Sequence, residues 1–264
     1  MLLTTLDNSL KTLDYFTKEN PEWGVRELAK VVGKSPSMIY RTLATFEKHG
    51  FLKKSLKTDK YRLDLKVLEY GLIVQDELKI PEIIAPDMNR LRDTTNESIY
   101  LTWLDKLEGV CISIIESKQN IQCKVSLGSR TPLYAGASAK VIMAFLSLEE
   151  KQKIIQKGLK KWTNQTIIDP QKLLTDLQKI KESGWSYSQG EFTESTIGLG
   201  VPIFNERGVI LGSLTITMPE YRLTKTKFPL FKKEVIETGE NIQKKINKYR
   251  PDINHNLFLY DWEF

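Results

Sequence analysis

Histidine and cysteine are scarce in this sequence, with two of each among 264 residues. His49 lies in the N-terminal quarter of the chain and His255 close to its C-terminus. A Ser-His-Asp or Cys-His set within one domain would therefore need the C-terminal tail. Two histidines and two cysteines so far apart also make a poor metal site. We expect neither an enzyme nor a metal site, and we expect no cofactor.

Long apolar runs are also missing. No run reaches the ~18 to 20 residues needed to span a bilayer, and the N-terminus has no basic segment followed by an apolar stretch and a cleavage site. Cys111 and Cys123 fall on two neighbouring predicted strands, and they are typical of buried thiols rather than of a disulfide scaffold. These absences indicate a cytoplasmic protein without a membrane partner.

Positive charge is concentrated at one end of the chain. Residues 1–66 hold 13 of the 39 basic residues and 8 of the 33 acidic ones, so this quarter has a net charge of +5 out of +6. The chain is long enough for two domains, and its 41% hydrophobic and 27% charged residues are typical of globular proteins. A basic N-terminal region beside a nearly neutral remainder indicates a phosphate-binding surface.

Two short helices joined by a glycine turn are predicted within the basic region. Residues 25–33 and 34–50 each place apolar side chains on one helical face, and Gly33 separates them. Ser35 is suited to cap the second helix, and Pro36 at its first position loses no hydrogen bond. The pattern predicts a helix-turn-helix, whose second helix enters the major groove of DNA.

The predicted outer face of the second helix is polar, and it includes Thr42. Residues 50–63 then predict two short strands around a basic turn, which is typical of a wing. Alone, such a hairpin is most simply a solvated turn, but directly after a recognition helix we expect it to contact DNA. The partner is double-stranded DNA, and the predicted contacts are Ser35, Ser37, Tyr40, Arg41, Lys53, Lys57 and Lys60.

Two further helices are predicted around this motif. The first runs from Thr5 to Asn20 and places Leu6, Leu10 and Phe16 beneath the other helices. The second covers residues 65–78 and has an apolar stripe. A plain surface helix would have the same pattern, but we favour a linker helix that pairs with its copy in a dimer, because doubling a small DNA-binding domain raises its affinity.

The rest of the chain alternates helical and extended patterns. Helices are predicted at 81–95, 135–146, 147–157, 170–183 and 225–249, and strands at 98–104, 109–115, 121–127, 184–188, 198–204 and 209–218. This order predicts an α+β domain with a largely antiparallel sheet flanked by helices. We divide the chain into a winged helix-turn-helix at 1–64, a linker helix at 65–80, an effector domain at 81–249 and an aromatic tail at 250–264. We expect the tail to dock on protein.

Several segments together resemble the IclR family of transcriptional regulators. They are the helix-turn-helix around residues 37–43, the stretch 132–140, the pair Ser183-Gly184, Glu191 with the strand 198–204, and residues 214–219 with 222–224. The likeness extends from about residue 4 to 248. It implies a GAF-like effector domain, dimers that assemble into tetramers, and repression of a catabolic operon that one of its metabolites controls.

The resemblance also implies an effector pocket on the open face of the sheet. Carried onto this chain, it falls on Ala137 and Ser138 as backbone donors and on the side-chain positions Ser188, Thr196, Gly198, Thr215 and Thr217. Free N–H groups at a helix start favour an anion, and two threonines at alternate positions of a strand face the same side. We expect a small organic acid as effector.

Some of these positions depart from the family or have simpler interpretations. Ser188 stands where the family often has an acidic residue, and Gly198 replaces a larger side chain, so no known family effector is carried over. Two threonines on one strand face are also ordinary for a sheet. We interpret Lys140 as a surface or structural ion-pair lysine, and Glu191 with Glu194 as solvated carboxylates.

Two other functions fit the same patterns. One is a cytosolic small-molecule enzyme or sensor whose N-terminal domain mediates protein contacts. The other is a DNA-binding protein whose C-terminal domain only dimerises.

Overall fold

The structure is a computed structural model that describes residues 2–78, 80–121 and 125–249, except for the side chains of residues 75–78. The described residues divide into two compact units, residues 2–78 and residues 80–249. Each unit is described by itself below. Within the described ranges, no helix is both long and apolar enough to cross a membrane.

The first unit contains short helices and a small antiparallel sheet. Its strands lie in the order β1-β3-β2. The elements, in chain order, are α1 Thr4–Leu13, β1 Glu22–Trp23, α2 Val25–Val32, α3 Pro36–Lys48, β2 Leu52–Lys54, β3 Tyr61–Leu63 and α4 Leu65–Leu78.

The helix-turn-helix forms as the sequence predicts. Gly33 ends α2 with a φ of 71°, a left-handed conformation that glycine adopts without steric penalty. The Ser35 hydroxyl accepts a hydrogen bond from the Met38 N–H at 3.3 Å, so α3 begins directly after it. Leu28 of α2 and Leu43 of α3 are fully buried, and they join the core of this unit. Local capping and helical periodicity therefore explain the motif.

The opening helix is shorter than predicted. It ends at Leu13 rather than at Asn20, because a hydrogen-bonded turn follows it. In that turn the Thr17 hydroxyl accepts from the Asn20 N–H at 3.1 Å, and such side-chain bonds compete with helix. Leu6 and Leu10 are about half exposed rather than buried beneath the other helices.

The second unit has a larger sheet and the remaining helices. Its elements are α5 Ile80–Thr95, β4 Ser98–Asp105, β5 Glu108–Ile115, β6 Arg130–Pro132, α6 Ala137–Ala144, α7 Leu148–Gln156, α8 Pro170–Ser183, β7 Ser186–Gln189, β8 Thr196–Phe204, β9 Ile210–Pro219, a 3-10 helix Glu220–Arg222 and α9 Lys227–Tyr249.

The described strands of this unit form one antiparallel sheet in the order β6-β5-β4-β9-β8-β7. Its two faces differ because successive residues of a strand point to opposite sides. One face is aliphatic, and α9 packs so closely on it that a Cβ added to Gly239 would lie 2.6 Å from Val201 Cγ2. The other face has small and polar residues, and α6 lies on it. The predicted α+β architecture is confirmed.

One predicted strand is wrong. Residue 121 and residues 125–127 are not in a strand, while residues 122–124, with Cys123, lie outside the described residues. The partner of β5 is instead β6, because Gly128 turns the chain and its N–H donates to the Cys111 carbonyl at 2.7 Å. Cys111 is a buried free thiol as expected, and burial raises its pKa to about 12. The aromatic tail also lies outside the described residues.

Candidate nucleic-acid interface and ligand site

The outer face of α3 is the first candidate site. Ser37, Tyr40 and Arg41 are exposed, whereas Ile39 on the opposite side of the helix is buried. Tyr40 leaves about half of its surface accessible. Thr42 was predicted on this outer face as well. That prediction is wrong, because Thr42 is buried within the first unit. Three adjacent polar or basic side chains are thus available to a partner of the first unit.

Carboxylates within the same unit pair with most of the wing lysines. Lys53 lies 3.0 Å from Asp64, and Lys54 lies 2.7 Å from Asp59. Lys60 lies 3.0 Å from Glu27, a carboxylate that also accepts from the Gly24 N–H at the start of α2. Among the described residues, Lys57 has no carboxylate partner. The sequence did not reveal these pairs, since Glu27 and Lys60 are far apart along the chain.

The ion pairs lower the pKa of two of these carboxylates. The Gly24 N–H, followed by the Lys60 ammonium, lowers the pKa of Glu27. The Lys53 ammonium lowers the pKa of Asp64. Exposed pairs of this kind contribute little to stability, because water and salt screen them. Breaking these pairs should therefore not unfold the wing.

The second candidate site is the polar face of the large sheet. The antiparallel register puts Ser188, Gly198 and Thr217 side by side on β7, β8 and β9, and Ser98 of β4 continues the row. The adjacent row contains Ser186, Gly200, Thr215 and Tyr100 on the same strands. Ser98 and Ser186 are not among the predicted site residues, although Ser98 and Ser186 lie in the alternating pattern of their strands.

Helix α6 lies directly against these rows. A Cβ added at Gly198 would lie 2.9 Å from Ala137 Cβ, so only glycine permits this approach. The Ser186 hydroxyl donates to the Ala137 carbonyl at 2.8 Å, and the Ser213 hydroxyl donates to the Ser138 carbonyl at 2.9 Å. The structure thus brings together most of the predicted effector positions where the start of α6 lies on the polar face of the sheet. These positions are 137, 138, 188, 198, 215 and 217.

The hydroxyls at this site differ in how they are used. Thr196 lies on the same face, two residues before Gly198, but its hydroxyl donates to the Thr193 carbonyl at 2.6 Å. Thr217 is partly exposed. Thr215 is buried, and its Oγ1 has no hydrogen-bond partner within the described residues. Since a buried polar group without a partner is unfavourable, Thr215 is the side chain with most to gain from a bound polar atom.

One backbone donor at the start of α6 is already paired, although it is not one of the two predicted donors. The Gly136 N–H donates to Glu191 Oε2 at 3.3 Å, so a carboxylate of the protein already caps the helix. The other oxygen of Glu191 lies 2.6 Å from Lys140 Nζ, and this ammonium also lies 2.7 Å from Asp176 Oδ2. Glu194, the second carboxylate that we interpreted as solvated, is exposed.

The prediction that Glu191 is solvated is wrong, since the residue is only 8% exposed. Lys140 is a structural ion-pair lysine, and it is buried rather than on the surface. Burial raises the pKa of Glu191, against the lowering effect of the Lys140 ammonium. The N–H groups of Ala137 and Ser138, also at the start of α6, have no acceptor among the residues that the structure describes.

Metal chemistry finds no support in the described part of the chain, where no group of three or more His, Cys, Asp or Glu residues could hold an ion. An exposed polar face on the second helix of a helix-turn-helix, together with a basic wing, is typical of a transcriptional regulator of the winged helix-turn-helix class.

Comparison with known families identifies this regulator more closely. Residues 5–55 match the IclR helix-turn-helix domain, and residues 73–244 match the domain described as "Bacterial transcriptional regulator IclR C-terminal". The chain belongs to the IclR family. It is therefore a DNA-binding transcriptional regulator, and the alternative of an enzyme is wrong.

Individual relatives are similar to this chain over most of its length. The HTH-type transcriptional regulator KipR of Bacillus subtilis (strain 168) is 31% identical over 92% of this chain and 96% of its own length. The transcriptional repressor IclR of Escherichia coli (strain K12) is 23% identical over 90% of this chain and 88% of its own. A crystal structure of an IclR homolog complexed with 4-hydroxybenzoate, from Microbacterium hydrocarbonoxydans, has a TM-score of 0.79 at 19% identity and covers 92% of this chain and 99% of its own.

The buried ion cluster yields a prediction. Lys140→Met leaves the Glu191 carboxylate buried without its cation, so the free energy of unfolding at neutral pH should fall by about 3–5 kcal/mol. Loss of the ammonium raises the pKa of Glu191 further, so this carboxyl takes up a proton as the pH falls and the deficit should shrink towards about pH 5. Urea unfolding between pH 5 and 8 measures both effects.

The matched control for this experiment is Lys153→Met. Lys153 forms an exposed pair with Glu149 at 2.8 Å, and its loss should change stability by less than about 0.5 kcal/mol at every pH. A loss for Lys140→Met that is the same at pH 5 and pH 8 would contradict the assignment of the ion cluster.

Proposed function

We propose that the chain is a metabolite-responsive repressor that binds a pseudo-palindromic operator as a dimer or tetramer. The observation that supports this most directly is the exposed triplet Ser37, Tyr40 and Arg41 on the recognition helix, beside a basic wing. Ser35 and the N-terminal N–H groups of α3 are suited to a phosphate, and Lys53, Lys57 and Lys60 to the flanking backbone. Such a protein acts where the chromosome is, in the bacterial cytoplasm.

The name of one relative supports repression. IclR of E. coli is described as a repressor, and release from DNA by a metabolite requires that the metabolite bind the DNA-free arrangement more tightly.

We infer that the effector binds between the start of α6 and the polar face of the sheet. The available groups are the backbone N–H donors of Ala137 and Ser138 and the hydroxyls of Ser188, Thr215 and Thr217, while Gly198 allows α6 to lie close to the sheet. Thr196 lies at the rim. A small organic acid suits these donors, and the homologue from Microbacterium was crystallised with one, 4-hydroxybenzoate.

The linker helix supports self-association. Its apolar side chains remain about half exposed or more within the first unit, among them Leu65, Leu68, Leu72, Ile73 and Val74. An apolar surface of this extent on one helix is typical of an interface. A second copy of α4 would cover it and bring two recognition helices to one operator.

The DNA contact is tested with Arg41→Ala. Loss of a guanidinium that contacts a base or a phosphate should weaken binding to the chain's own upstream region by about 10- to 100-fold, with an unchanged melting temperature. Gel-shift titration measures the affinity. Arg207→Ala is the control, because Arg207 is exposed on the turn between β8 and β9. An unaffected gel-shift midpoint would remove Arg41 from the interface.

The effector site is tested with Thr215→Val. A panel of small carboxylic acids is first screened for compounds that raise the melting temperature of the unaltered protein. The variant should bind such an acid about tenfold more weakly in calorimetry, yet be as stable as the parent without it, because the lost hydroxyl had no partner.

Thr238→Val is the matched control for the effector experiment. The Thr238 hydroxyl is also buried without a partner among the described residues, but it lies on α9. Its loss should leave acid binding unchanged. If the parent and Thr215→Val bind the acid with equal affinity, Thr215 has no role in the effector site.

The linker interface is tested with Leu72→Glu. A buried charge in a paired helix should dissociate the oligomer, and the monomer should bind the operator at least about tenfold more weakly because the two half-sites no longer act together. Sedimentation velocity measures the assembly state. Leu148→Glu on α7 replaces another exposed leucine and should change neither property. An oligomer that survives Leu72→Glu would exclude α4 as its interface.

A further inference from the structure

The tip of the wing carries an apolar side chain that the fold does not use. Leu56 is fully exposed, and it is more exposed than any other large hydrophobic residue described in the chain. It gains no burial on folding, so it contributes nothing to the hydrophobic stability of the wing. A single exposed apolar residue is ordinary on a protein surface. Whether Leu56 has a function therefore depends on the rigidity of the turn that carries it and on the charges around it.

Hydrogen bonds fix the turn that presents Leu56. The Ser55 N–H donates to the Lys60 carbonyl at 2.8 Å, and the Asp59 N–H donates to the Ser55 carbonyl at 2.9 Å. The Ser55 hydroxyl accepts from the Thr58 N–H at 3.2 Å. Asp59 has a φ of 60°, and its carboxylate pairs with Lys54. The tip is therefore preorganised, and Leu56 extends from a closed loop.

The charge around Leu56 selects the kind of partner. Residues 53–62 contain five basic residues and one acidic residue. A second wing would bring like charges together, which is unfavourable. The sugar-phosphate backbone of DNA offers the complementary charge, and the minor groove between its strands has apolar sugar and base surfaces.

We propose that Leu56 enters the minor groove beside the major-groove site of α3 and packs on deoxyribose and base edges, while Lys57 binds an adjacent phosphate. This rests on the proposed DNA-binding function. The wing then contributes sequence preference without hydrogen bonds, because a pyrimidine–purine step opens more readily to an apolar wedge than a stiff step does.

Salt dependence separates the two neighbouring side chains. Binding of the full chain to the DNA upstream of its own gene is titrated over a range of salt concentrations with Leu56→Ala and Lys57→Ala. Leu56→Ala should weaken binding about tenfold at every salt concentration, with the slope of log K against log salt unchanged. Lys57→Ala should lower the magnitude of that slope by about 0.9, the value for one phosphate contact.

The DNA supplies the second arm of the test. Footprinting locates the minor groove under the wing, and its pyrimidine–purine steps are replaced with an A-tract. The unaltered protein should lose affinity on this change, whereas Leu56→Ala should bind both duplexes equally. Leu148→Ala, at another exposed leucine, should behave like the parent, and melting temperatures should agree among all proteins.

The outcomes distinguish this inference from the proposed function. If the unaltered chain does not prefer its own upstream DNA over a scrambled duplex, the DNA-binding proposal fails and this inference fails with it. If the chain binds specifically but Leu56→Ala stays within twofold of the parent on both duplexes, the inference alone is overturned. A Leu56→Ala protein with altered sedimentation and unaltered DNA binding overturns it in favour of a contact between proteins.

Discussion

The ligand-binding unit depends on one buried cation. The Lys140 ammonium, 1% exposed, is neutralised by Glu191 and Asp176, and Glu191 in turn caps the helix from which Lys140 extends. An ammonium in such a place is tolerable only while both partners are present. The start of α6, the strand β7 with the loop after it, and α8 are thereby held in one arrangement. Ala137 and Ser138, whose carbonyls accept from Ser186 and Ser213, are thereby held beside the polar face of the sheet.

The same cluster limits what the site can accept. Because Glu191 already occupies one helix-start donor and brings negative charge, a bound carboxylate finds fewer free donors than an open helix end would offer. In the effector site that we propose, hydroxyls of the sheet would therefore contribute much of the recognition. Thr215 is well placed for this, since its buried oxygen has no other partner in the described chain.

Much of the fold was predictable because its signals are local. Ser35 and Pro36 are typical of a helix start and predict where α3 begins. Gly184, in a left-handed conformation, ends α8. Alternation of aliphatic and polar residues gave the strands that flank the residue 205–208 turn. The predicted end of α1 was wrong, because a turn at Thr17 redirects the chain, and the described residues of the predicted strand at 121–127 are not in a strand, because another turn follows at Gly128.

The candidate site was less predictable than the fold. Threonines and glycines on one face followed from the strand period, whereas the partners of Lys140 lie 36 and 51 residues away along the chain. Nothing in the local pattern of Glu191 distinguishes a helix cap from a solvated carboxylate. Contacts of this kind are set by how the sheet and helices pack, which a single sequence does not display.

The ion pairs of the wing affect how the protein responds to its surroundings. In the proposed complex with DNA, Glu27 would lose its partner when Lys60 binds a phosphate, and Asp64 would lose its partner when Lys53 does so. Each freed carboxylate would attract a cation from solution, and this uptake would offset part of the counterion release from DNA. Operator binding should therefore depend less steeply on salt than the number of wing lysines alone would suggest.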